Sequence, residues 1–90
     1  MPVFVGERYI PEAQQEVALA QAELLRVAVQ RLADEGSPVR LMSTTFVPNE
    51  EWVFDLFEAE SADQIRRVYD EGHVPVERVT EGVHLPGPSK

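Results

Sequence analysis

The chain alternates between short runs of β-branched and aromatic residues and longer runs whose apolar positions recur every three or four residues. Residues 3–10 are rich in Val, Phe, Tyr and Ile and are ended by Pro11, which predicts a first strand. Pro11 cannot donate to a sheet ladder but suits the first turn of a helix. Residues 12–35 then carry Ala18, Ala22, Leu25, Val29 and Leu32 at a spacing that lines one stripe of a helix. Glu12 and Glu16 stand early and Arg26 and Arg31 late, as the helix dipole prefers. Gly36 supplies a left-handed stop, and Pro38 blocks continuation.

Two further strand-like runs, residues 39–47 and 52–59, are joined by Pro48-Asn49-Glu50, whose Pro and Asn have turn chemistry, so they form a hairpin. Ser61 followed by Gln64 reads as a capping box that opens a second helix, with Ile65, Val68 and Tyr69 inward and a stop at Gly72. Residues 76–84, between Pro75 and Pro86, form the last strand. The order β-α-β-β-α-β predicts an α+β, ferredoxin-like fold, with both helices on one face of a four-stranded antiparallel sheet. Residues 1–85 are expected to make up the domain and residues 86–90 a flexible C-terminal tail.

With a three-residue hairpin loop, Met42, Thr44 and Phe46 share a face with Trp52, Phe54 and Leu56, and this set is expected under the helices. Leu41, Ser43, Thr45 and Val47 then share the other face with Val53, Asp55 and Phe57. Both faces carry apolar groups, which predicts a homodimer in which a second copy covers the face that the helices do not reach.

Composition narrows the partners. With 43% hydrophobic and 27% charged residues, the chain has enough apolar surface to build a core. Eight Lys and Arg against sixteen Asp and Glu leave a net charge of −8, a field that repels phosphate backbones and anionic headgroups and attracts cations. Nucleic acid and membrane are therefore not expected as partners, and a cytoplasmic location is. The absence of Cys removes disulfides, thiolate metal sites and Cys nucleophiles.

The candidate chemistry lies in carboxylates and imidazoles. Glu7 and Asp55 stand on strands that this topology makes neighbours, and two carboxylates on one face would hold a cation or work as acid and base. Arg8 and Arg78 offer the competing explanation, an ordinary ion pair for either carboxylate. His73, just after the second helix, is the candidate imidazole ligand, with His84 less favoured. The metal site is thus expected to draw on His73, Glu7 and Asp55.

The segment Phe57-Glu58-Ala59-Glu60-Ser61-Ala62, then Ile65-Arg66-Arg67, then Glu71-Gly72-His73-Val74-Pro75 followed by Val79, resembles a family of small bacterial ferredoxin-like proteins of unknown function, some of whose members are described as nickel-binding. The resemblance covers roughly the last forty residues. It implies a subunit that pairs into a dimeric α/β barrel, and it carries His73 across as the His that follows Gly. The nickel-binding members are richer in His in the first strand, where this chain has Gly6, Glu7, Arg8 and Tyr9, so a carboxylate would stand in for imidazole there. The expected function is a homodimeric binding domain for a divalent metal such as nickel. The alternative is a cofactor-free enzyme of the monooxygenase or cyclase type, acting on a small apolar substrate with Asp55 or Glu7 as base.

Overall fold

The computed structural model describes residues 1–85 and 87, without the side chain of Ala13. The tail expected at residues 86–90 therefore lies, Gly87 apart, outside the described residues. The elements run β1 (Val3–Tyr9), α1 (Gln15–Asp34), β2 (Arg40–Val47), β3 (Trp52–Glu58), α2 (Ala62–Gly72) and β4 (Arg78–Gly82). All pairings are antiparallel and the sheet order is β2-β3-β1-β4, so the β-α-β-β-α-β, α+β architecture read from the pattern is present and agrees with a ferredoxin-like arrangement.

The first helix starts later than its sequence pattern suggests. Pro11–Ala13 forms a separate 3-10 turn, and Glu12 is left-handed within it (φ 66°), its N–H donating to Glu51 Oε2 at 2.8 Å. Beyond that turn α1 buries Ala18, Leu25, Ala28 and Leu32. It ends where Gly36 takes φ 83° and the Ser37 N–H reaches back to the Leu32 carbonyl at 2.9 Å, as its composition foretells.

The capping box of α2 is also present. Gln64 N–H donates to Ser61 Oγ at 3.4 Å, and the Ser61 N–H donates to Gln64 Oε1 at 3.3 Å. Gly72 is the last helical residue, and α1 runs close beside it: a Cβ there would lie 3.3 Å from the Leu24 carbonyl oxygen. The left-handed cap falls instead on His73, at φ 56°.

The hairpin corrects the expected assignment of faces. Its loop is four residues, 48–51, with Glu51 left-handed, and Val47 pairs with Trp52 rather than with Glu51. A slip of one residue moves every side chain to the opposite face of a strand. Val53, Asp55 and Phe57 consequently lie fully buried beneath the helices, and Trp52, Phe54 and Leu56 face outward. A bulge between Leu41 and Ser43 reverses the alternation once more, so Leu41 packs on the helix side while Arg40 and Ser43 pair with outward-facing residues.

Two apolar clusters fill the space between sheet and helices. The larger joins Phe4, Leu25, Leu32, Phe57, Ile65 and Val68 with their neighbours, and the smaller joins Ile10, Ala18 and Val53. Between them, on β1, on β3 and on α1, stand Arg8, Asp55 and Gln21.

Candidate functional site

Alternation along β1 and β3 places Arg8 and Asp55 on the helix side of the sheet, where both are almost wholly shielded from water (1% and 0% exposed). Asp55 lies opposite Gly6 and Arg8 opposite Val53, so the guanidinium reaches Asp55 diagonally. Arg8 Nε donates to Asp55 Oδ2 at 2.7 Å and Nη2 to Oδ1 at 3.0 Å, a two-pronged contact that a planar fork favours. Tyr69, from α2, donates its hydroxyl to Oδ2 at 2.7 Å, and Thr44, from β2, donates to Oδ1 at 2.8 Å. Gln21, from α1, accepts from Arg8 Nη1 at 2.6 Å.

Gly6 is the residue that admits the tyrosine. Any Cβ at this position would overlap the Tyr69 hydroxyl, so only a residue without a side chain leaves room above Asp55. Burial pushes the Tyr69 phenol well above its ordinary value, the charge of Asp55 and the bond to it add to that, and Arg8 opposes it. Tyr69 is accordingly a neutral donor throughout the physiological range.

Asp55 accepts four hydrogen bonds, and a carboxylate offers about four lone-pair sites. No acceptor capacity is left on it for a substrate proton or a metal. The competing explanation, an ion pair with Arg8, is the one the geometry supports. Sequence reading recognised Arg8 as a partner but not Tyr69, Gln21 or Thr44; the signal that points to Tyr69 is a glycine inside an otherwise bulky strand.

Glu7 lies on the opposite side of the sheet, paired in register with Phe54 and Arg78. Its Oε2 takes Arg78 Nε at 3.0 Å and Nη2 at 2.9 Å. The expectation that Glu7 and Asp55 share a face is therefore corrected: they occupy adjacent strands but differ by one position in register. His73 is exposed at the end of α2 beside Leu24, Val27 and Arg31, and Glu71 next to it pairs with Arg31 at 3.5 Å. The three expected ligands thus lie in three places, and among the described residues no group of three or more His, Asp or Glu is placed to hold a metal ion. Surface grooves of about 500, 420 and 290 Å³ are lined by neither Asp55 nor Glu7. The groove of about 500 Å³ takes in Tyr69 and Arg78, the partners of Asp55 and Glu7, rather than the carboxylates themselves.

The outward face of the sheet is differently built. Val5, Leu56, Phe54, Trp52 and Val47 form a continuous apolar strip, with Phe54 37% exposed and Tyr9 packed edge-on against Trp52 at a centroid distance of 5.7 Å. The Glu7–Arg78 pair borders the strip on the β4 side, and Arg40 Nη1 with Glu58 Oε1, 3.2 Å apart, borders it at the start of β2. This is an apolar centre with a charged rim. Among the described residues no helix is long and apolar enough to cross a membrane.

Three measurements check this assignment. Asp55→Ala, which strands the buried Arg8 charge, is expected to lower unfolding free energy by about 3–5 kcal/mol in urea titrations, and Arg8→Met with Asp55→Leu and Tyr69→Phe to recover most of it. Because the Tyr69 phenol is raised only in the folded state, its contribution is complete below the unfolded value near 10 and is lost as pH climbs above it, by up to about 1.4 kcal/mol per pH unit. Alkaline denaturation of Tyr69→Phe should lack that steep component. In calorimetric titrations with nickel, wild type and Glu7→Gln are expected to give the same heat; a signal lost only in the variant would return Glu7 to a ligand role.

Comparison of the chain with protein-family models, with curated proteins and with solved structures gives no match.

Proposed function

We propose that this chain is a homodimeric binding domain, two copies of which stack their outward sheet faces into a dimeric α/β barrel. The observation that carries this reading is the charge of that face. Each copy bears −8 overall, so two copies repel one another wherever their acidic surfaces meet. The outward face, by contrast, sets Glu7 and Glu58 against Arg78 and Arg40 around an apolar strip, with Glu51, bonded to Tyr9, the added carboxylate at its Trp52 end. Association there removes Phe54, Leu56 and Val5 from water and brings along far less net charge than the rest of the surface carries.

Energetics favour the same conclusion. A chain of ninety residues buries a modest share of its surface, and here the core is divided by a buried ion pair, so added burial at an interface strengthens the folded state by mass action. Trp52 and Tyr9 are of the residue types that anchor interfaces. A small apolar ligand would be held between the two sheets, against Val5, Phe54 and Leu56 of both copies, where the two apolar strips meet.

Sedimentation velocity of the wild type at micromolar concentration is expected to return a dimer. Phe54→Asp, which places a carboxylate at the centre of the strip, should return a monomer with unchanged far-ultraviolet circular dichroism. A wild type that sediments as a monomer would overturn the proposal.

A further inference from the structure

Strand β4 stops pairing at Gly82, which lies opposite Val3. The next partner on β1 would be Pro2, which has no N–H and whose carbonyl already accepts from the Ala59 N–H at 3.1 Å. The chain beyond Gly82 therefore has no ladder to join in its own sheet. Two aliphatic residues follow there, Val83 and Leu85, at 83% and 78% exposure. Continuing the alternation of β4 puts both on the side of Val79, which packs against the helix-side core.

The complementary feature stands at the other edge. Strand β2 is the opposite margin of the sheet, and among the described residues no strand pairs with its outer edge. Beside it, between α1 and β2 on the helix side, runs a groove of about 420 Å³ lined by Ala22, Arg26, Leu41, Met42, Ser43 and Thr44. Arg26, at its rim, has only a 3.8 Å contact with Glu23. The groove thus combines unpaired backbone, an apolar floor and a cation.

We propose that residues 83–85 of one copy add as a strand to the β2 edge of the second copy, seating Val83 and Leu85 in the α1–β2 groove. This rests on the face-to-face dimer and extends it. When two such sheets stack about a two-fold axis running along the strands, the order β2-β3-β1-β4 in one lies over β4-β1-β3-β2 in the other, so each β4 ends beside the partner's β2. Backbone bonds along the edge supply affinity, and alternate side chains entering the groove supply specificity. Glu81, exposed just before this segment, brings a second carboxylate toward Arg26, whose own contact with Glu23 is a long one at 3.8 Å. The contact occurs twice and covers both edges, which removes the two open margins that an isolated sheet would present.

The full chain contains no Cys, so disulfide trapping is clean. Met42→Cys and Leu85→Cys variants are mixed and oxidised mildly, with Ala20→Cys replacing Met42→Cys as the control on the exposed face of α1. The proposal expects the mixed Met42–Leu85 disulfide to form at least about tenfold faster than the control, because pairing raises the local concentration. It also expects Val83→Ser with Leu85→Ser to raise the dimer dissociation constant at least about tenfold while leaving the fold intact. Trapping no faster than the control, with wild type still dimeric by sedimentation, overturns the strand addition and leaves the sheet dimer standing. A monomeric wild type overturns both.

Discussion

The carboxylate of Asp55 holds this protein together from four directions. Its partners come from β1, β2 and α2, and through Arg8 it reaches α1 as well, so one side chain fixes the relative positions of sheet and helices. A buried ion pair of this kind contributes little net stability, because desolvation offsets most of the attraction. What it gives is geometry: a shift in register on β1 or β3, or a rotation of α2, would leave a charge or a hydroxyl unsatisfied in the core.

That constraint also decides where function can lie. Around Asp55 the helix side of the sheet is filled, first by the two apolar clusters and then by the polar set between them, and the carboxylate buried there has no acceptor to spare. Groups able to meet another molecule are on the outward face, at the sheet's edges and along the grooves beside α1 and α2. On the outward face the charges are paired along the rim and the centre is apolar, an arrangement suited to recognition rather than to proton transfer.

Overall charge and local charge work at different ranges. At physiological ionic strength the field of −8 acts over roughly a Debye length of 8 Å and keeps copies apart in most orientations. The outward face is the orientation in which that penalty is smallest, so a strongly acidic surface and self-association are compatible. In the proposed dimer the acidic surface would supply selectivity against wrong encounters, and the apolar strip the contact.

Local chemistry in the chain was sufficient for the element order, the Gly36 stop, the Ser61–Gln64 cap and the inward residues of α2, because periodicity and capping depend on neighbours within a few positions. Arg8 and Arg78 were legible as ion-pair partners for Asp55 or Glu7, but which arginine took which carboxylate was decided by the pairing of β1 with β3 and β4. The faces of the hairpin were not legible, because a loop of three or four residues fits Pro48-Asn49-Glu50-Glu51 equally well and a single slip inverts every side chain. The separation of Glu7 from Asp55 followed from a second register, that of β1 against β3, in which Asp55 stands opposite Gly6 and Glu7 opposite Phe54. Only the folded chain brought Tyr69 over Gly6: its hydroxyl needed a missing side chain 63 positions away, a complementarity that exists in three dimensions and leaves no period in the sequence.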